Sequence, residues 1–154
     1  MSIEEQYDKI FRYCYYKVHD RHLAEDLTQE TFLRAQKSGQ QIDVSERYLY
    51  TIARNLCIDE FRRKKAEAVE EETLEETLPQ EGFEASLVEK IALEQALSKL
   101  SEEERELLIL RYVNDEPFAT ICELTGISRF AVHRRLGSAK KKLETILERR
   151  EEHV

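Results

Sequence analysis

Residues 66–86 cannot build a core. Glu70-Glu71-Glu72 and Glu75-Glu76 place like charges side by side, and Pro79 and Gly82 break up any long helix. Residues 66–94 hold ten acidic side chains and one basic one, so the whole excess of a chain whose net charge is −8 sits there. The apolar residues are therefore divided between two blocks, 1–65 and 87–150, each near the lower limit of size for an independent domain. The segment between them is read as a tether between two sites or as a merely solvated linker; its composition suits both.

Both blocks point to helix. The 154-residue chain is 36% charged, with 4 Gly and 2 Pro, and is rich in strong helix formers. In residues 3–20, Ile3, Tyr7, Ile10, Phe11, Cys14, Tyr15 and Val18 recur every three or four positions and share one face. After the polar break at His19–His22, a second helix over 22–38 has Leu23, Leu27, Phe32 and Leu33 as buried candidates and Gly39 as its stop. A third starts at Ser45, with a stripe of Leu49, Ile52, Ala53, Leu56, Cys57 and Phe61, and ends in Arg62-Arg63-Lys64-Lys65. The second block opens near residue 86 with Leu87, Ile91, Leu93, Ala96, Leu97 and Leu100. Ser101 and Glu104 have the spacing of a capping box for the next helix, which is expected to reach Val113. The fold class expected is all-α: two small helical domains joined by an acidic linker.

Several functions are disfavoured. The first residues, Met1-Ser2-Ile3-Glu4-Glu5, lack a signal-peptide pattern, and no run approaches the roughly 18 apolar residues of a membrane span. Cys14, Cys57 and Cys122 are odd in number and far apart, which fits reduced thiols in a cytoplasm. Cys14, His19 and His22 lack metal-site spacing and are read as a half-buried cysteine and two surface histidines. There is no phosphate-binding glycine loop and no nucleophile motif, so neither enzyme activity nor a cofactor is expected.

Residues 117–136, PFATICELTGISRFAVHRRL, have the layout of a helix-turn-helix. Phe118, Ile121 and Leu124 face inward, the small Cys122 suits a helix crossing, and Gly126 permits a left-handed turn. Ile127 fills the corner, Ser128 caps the second helix, and Val132 and Leu136 turn to the core. That leaves Arg129, His133 and Arg134 to face the major groove, where arginine bonds guanine bidentately. Arg135 and the run Lys140-Lys141-Lys142 are better placed for phosphates, which position a protein without specifying sequence.

Three motifs in order carry a family resemblance. AEDLTQETFLRA (24–35) resembles region 2.2 of the sigma-70 family, and YLYTIARNLCIDEFRRKK (48–65) resembles regions 2.3 and 2.4. LSKLSEEERELLILRYVNDEPFATICELTGIS, with the helix after it, resembles region 4. Counterparts of regions 1.1 and 3 are missing, which points to the extracytoplasmic-function (ECF) group. The resemblance implies a bacterial transcription initiation factor with core RNA polymerase, promoter DNA and an anti-sigma factor as partners, and no membrane insertion of its own. It implies that Asp26, Gln29, Glu30 and Leu33 meet the clamp helices of the largest polymerase subunit, while the second domain meets the flap. For the −10 element it implies a base pocket near Gln40, Gln41 and Asp43, a wedge at Asn55, an aromatic at Tyr48 where tryptophan is usual, and strand contacts from Arg54, Arg62, Arg63, Lys64 and Lys65. For the −35 element it implies Ser128, Arg129, His133, Arg134, Arg135, Lys140 and Lys141. The recognition helix departs from the family pattern: Ser-Arg-Phe-Ala-Val replaces the frequent Pro-Val-Gly-Thr-Val, and Gly137 and Ser138 stand where bulkier residues are common. Two other readings remain open on the residues alone, a dimeric helix-turn-helix regulator and a helical adaptor that binds only protein.

Overall fold

The computed structural model describes residues 2–37, 46–70 and 85–152, and side chains over 2–37, 46–66 and 91–149. The expected loop residues Gln40, Gln41 and Asp43, the Ser45 cap, the Gly39 stop and most of the linker lie outside the described residues. No strand occurs among the described residues, and no described helix is long and apolar enough to cross a membrane.

α1 spans Ile3–Val18 and opens on a capping box, in which the Ser2 hydroxyl accepts from the Glu5 amide at 3.2 Å and the Ser2 amide donates to the Glu5 carboxylate at 3.3 Å. It stops two residues earlier than expected because His19 adopts a left-handed conformation (φ 57°) and Asp20 caps the next helix, accepting from the Leu23 amide at 3.2 Å. α2 spans Arg21–Lys37. Its buried face is Ala24, Leu27, Thr28, Thr31 and Ala35, smaller than the face expected. Two threonines lie in a core because their hydroxyls donate along the helix, to the carbonyls of Ala24 (2.6 Å) and Leu27 (2.7 Å). Leu23 and Phe32 are only half-buried, and Leu33, expected among the buried residues, is 49% exposed because it points off this narrow face.

α3 spans Glu46–Glu70, so the basic run 62–65 does not end it. Tyr13 and Cys14 of α1 pack with Leu49, Tyr50, Ala53 and Cys57 of α3, and the Tyr13 and Tyr50 rings meet edge-on at 5.3 Å. Cys14 is fully buried rather than half-buried; a hydrogen bond from the Cys57 thiol lowers its pKa, against the effect of burial. The His19 ring is also largely enclosed, and burial pushes its pKa down.

In the second half, α4 spans Ala85–Ser98 and α5 spans Glu102–Leu108. The Ser101–Glu104 capping box forms as its spacing predicts, with bonds of 3.2 and 3.0 Å. The helix does not continue regularly to Val113. Ile109–Val113 is a π-helical turn, closed by the Asn114 amide on the Ile109 carbonyl at 3.1 Å. α6 spans Phe118–Thr125, and Pro117, which is extended, serves as its N-cap. Gly126 takes φ 74°, and α7 runs Arg129–Glu152. Ile121, Leu124, Val132, Leu136 and Ala139 join Leu107–Leu110 in the core.

The two halves pack on each other through buried polar groups. The Glu106 carboxylate of α5 accepts from the Tyr13 hydroxyl at 2.6 Å and lies 3.5 Å from Lys17 Nζ and 3.3 Å from Arg54 Nε. Lys17 is 1% exposed and Glu106 5%. Beyond the π-helical turn, Asn114 accepts from Arg12 at 3.1 Å and donates to the Lys9 carbonyl and the Tyr50 hydroxyl, both at 2.9 Å. Lys9 bridges Glu116 at 2.6 Å and Glu46 at 2.9 Å. Burial lowers the Lys9 pKa, but these two carboxylates outweigh it and raise it overall.

Two stability tests follow from this geometry. Gly126→Ala has open space for its Cβ but a left-handed backbone to hold, and is expected to lose about 1–2 kcal/mol; Gly137→Ala, in open space within a helix, is expected to gain about 1 kcal/mol. Urea unfolding followed by circular dichroism reads the two opposite signs. By the same measurement, Glu106→Ala, which strands Lys17, is expected to cost about 3–5 kcal/mol. Arg54→Ala, at a partly exposed side chain, is expected to cost about 1 kcal/mol or less.

Candidate nucleic-acid and polymerase interface

The small-residue face of α2 fixes which of its side chains point outward. Asp26 and Gln29 are exposed, one turn apart, on the side away from Ala24, Thr28 and Thr31. Glu30 is half-buried and accepts from Arg34 at 2.9 Å, and the exposed Leu33 extends the same edge. Charged, amide and apolar groups thus line one face of α2.

On α3 the expected residues separate. Asn55 and the run Arg62, Arg63, Lys64 and Lys65 are exposed, and Arg63 pairs with Glu60 one turn back. Tyr48 is half-buried against the core, and its neighbour Tyr50 is wholly inside it. Arg54 is engaged with the other half of the molecule. Besides Glu106, its guanidinium donates to the Leu124 carbonyl of α6 at 3.4 Å, so a residue expected on DNA is held between the halves.

The helix-turn-helix is built by short-range chemistry. The Gly126 amide donates back to the Cys122 carbonyl at 2.9 Å and ends α6. The Ser128 hydroxyl then accepts from the Ala131 amide at 3.2 Å, starting α7. Val132 and Leu136 anchor α7 inward, leaving Arg129, His133 and Arg134 exposed. Phe118 orients two of these, with the His133 ring edge-on at 5.8 Å and the Arg129 guanidinium 5.9 Å from its centroid. The residues assigned to phosphate differ among themselves. Arg135 pairs with Glu103 and Lys142 with Glu104, both at 2.9 Å, while Lys140 lies 5.4 Å from the Tyr112 ring and Lys141 is exposed. The Lys142 ammonium draws the Glu104 carboxyl below its ordinary pKa.

One residue of this face escaped the sequence reading. Phe130 is 76% exposed, and the Arg134 guanidinium stands 6.0 Å from its ring. The available signal was its helical phase: Val132, Leu136 and Ala139 define the buried side of α7, and position 130 falls off it.

Comparison with known proteins agrees with this anatomy. Family models match over residues 3–67 (Sigma-70 region 2) and 90–143 (Sigma-70, region 4). The chain is 32% identical to the ECF RNA polymerase sigma factor SigM of Bacillus subtilis, covering 97% of both chains. It is 29% identical to SigW of the same organism, covering 90% of this chain and 85% of that one. In fold it resembles the sigma factor RpoE of Bartonella quintana, solved with the anti-sigma factor NepR (TM-score 0.69, 21% identity, 93% and 92% of the two chains). It likewise resembles CnrH in complex with the cytosolic domain of CnrY (TM-score 0.69, 20% identity, 92% and 81%). Two sigma-70 modules in the same order, on a chain matched along almost its full length, place this protein in the ECF sigma factors of the sigma-70 family.

Proposed function

We propose that the chain binds core RNA polymerase and directs it to promoters with two separated elements, 1–65 serving the −10 element and 87–150 the −35 element. The end-to-end match to SigM carries this reading, because it joins both modules in one chain. The exposed edge of Asp26, Gln29, Glu30 and Leu33 docks on the clamp helices of the largest subunit, and the second half docks on the flap. Asn55 wedges the opening duplex near Tyr48, with Gln40, Gln41 and Asp43 receiving the extruded base. Arg62, Arg63, Lys64 and Lys65 hold the strand backbone, joined by Arg54 once it leaves Glu106. Ser128, Arg129, His133 and Arg134 enter the major groove, while Arg135, Lys140 and Lys141 track phosphates.

Chemistry on this chain is not required: its work is binding and the deformation of DNA. The two structural relatives were solved in complex, one with an anti-sigma factor and the other with the cytosolic domain of CnrY. An anti-sigma factor is proposed as a further partner of this chain, in the cytoplasm.

Two experiments test the assignments separately. Asp26→Ala with Gln29→Ala is expected to weaken co-purification with core polymerase by about tenfold while leaving helix content unchanged. Undiminished co-purification would remove the α2 assignment. Arg129→Ala and Arg134→Ala are each expected to cost about 1–3 kcal/mol of promoter discrimination in run-off transcription without loss of polymerase binding. Unchanged promoter choice would sink the major-groove assignment.

A further inference from the structure

Phe130 is the most exposed of the large apolar side chains among the described residues. Single apolar side chains are common on protein surfaces, so exposure alone says little. Its position says more. It is the second residue of α7, at the helix end whose side chains reach base edges in a helix-turn-helix. It shares a face with Arg134 one turn on, and with Gly137 and Ser138 a turn further. Arg129 and His133 flank it, both oriented by Phe118. Gly137 has no Cβ, and nothing lies within 4 Å of where one would be, so the face below the ring stays low.

The stripe therefore offers one apolar ring within a field of cations. The first acidic residue of α7 is Glu144. A protein partner seated here would have to be apolar at one spot and acidic around it. Duplex DNA supplies both features: phosphates for the cations and, in the major groove, one apolar group, the 5-methyl of thymine.

We propose that Phe130 reads thymine, its ring packing against the 5-methyl group of one thymine in the upstream duplex element. This rests on the proposed role of α7 as the major-groove helix and adds a specificity determinant to it. Arg134, beside the ring, contacts an adjacent base or phosphate, and the small Gly137 and Ser138 let the strand approach.

The test uses the full chain with core polymerase and a pool of duplexes randomised across the upstream element. The wild type is expected to enrich one position for thymine, and Phe130→Ala to lose that preference. Replacing that thymine with deoxyuridine removes only the methyl group and keeps the base pair. The change is expected to weaken wild-type binding about fourfold, the effect of one buried methyl-sized group, and to leave Phe130→Ala unaffected. Equal thymine-over-deoxyuridine discrimination by both proteins would overturn the proposal, as would the absence of any thymine preference in the wild type. Loss of polymerase binding by Phe130→Ala with discrimination intact would overturn it too, in favour of a protein contact. Arg129→Ala separates the two levels: if that variant enriches the same duplexes as the wild type, the major-groove reading has failed and the thymine contact with it. If Arg129→Ala shifts the selection while Phe130→Ala leaves the thymine preference intact, the thymine contact alone has failed.

Discussion

The carboxylate of Glu106 sets the relation between the two halves. An ammonium group as enclosed as that of Lys17 needs a counter-charge close by, since an unpaired buried charge costs several kcal/mol. The counter-charge does not come from Lys17's own half; α5 supplies it, and the Tyr13 hydroxyl takes up further acceptor capacity on the same oxygen. Burial and the adjacent carboxylate both push the Tyr13 pKa well up, so the phenol remains a donor. One acidic side chain thus makes a lysine and a tyrosine tolerable in the interior of the N-terminal bundle.

A seam of this composition differs from a hydrophobic core. Its polar groups are Lys9, Arg12, Tyr13, Lys17, Tyr50 and Arg54 on one side and Glu106, Asn114 and Glu116 on the other, nearly all able to take up water if the halves part. Apolar residues of both halves also share one buried cluster and would resist separation, whereas these polar groups would be hydrated. Arg54 sharpens the point, because a guanidinium facing Glu106 cannot at the same time face a phosphate. Binding of Arg54 to a DNA strand and closure of this seam are therefore competing arrangements of one side chain. The exposed α2 edge carries no such conflict.

What was legible in the sequence was local. The Ser101–Glu104 capping box, the stop at Gly126 and the inward Val132 and Leu136 each depend on residues within a turn or two, and each forms. The buried threonines of α2 were missed because a hydrophobicity pattern scores Thr28 and Thr31 as polar, although their hydroxyls are satisfied within the helix. The π-helical turn was missed because the run from Leu107 to Val113 is apolar almost throughout and fixes no phase. The seam was out of reach for another reason. Lys17 and Glu106 are distant in sequence, and each alone reads as an ordinary surface charge. Phe130 was not legible because a large aromatic ordinarily packs inward, and only the phase of Val132, Leu136 and Ala139 puts it off the buried side.

The same pairing logic explains how an acidic protein can present a cationic helix. Residues 95–154 hold eleven basic and eleven acidic side chains, a net charge of zero. The fold does not leave them mixed. Glu103 and Glu104, in the first turn of α5, take Arg135 and Lys142 from the near side of α7, and Glu106 is spent on the other half of the molecule. Glu116 is consumed by Lys9. Arg129, Arg134 and Lys141 are left on the far side of α7 without a carboxylate partner among the described residues, and that side carries the potential a phosphate backbone would meet. The potential of each face follows from which charges the fold neutralises. Net charge, counted along the chain, conceals it.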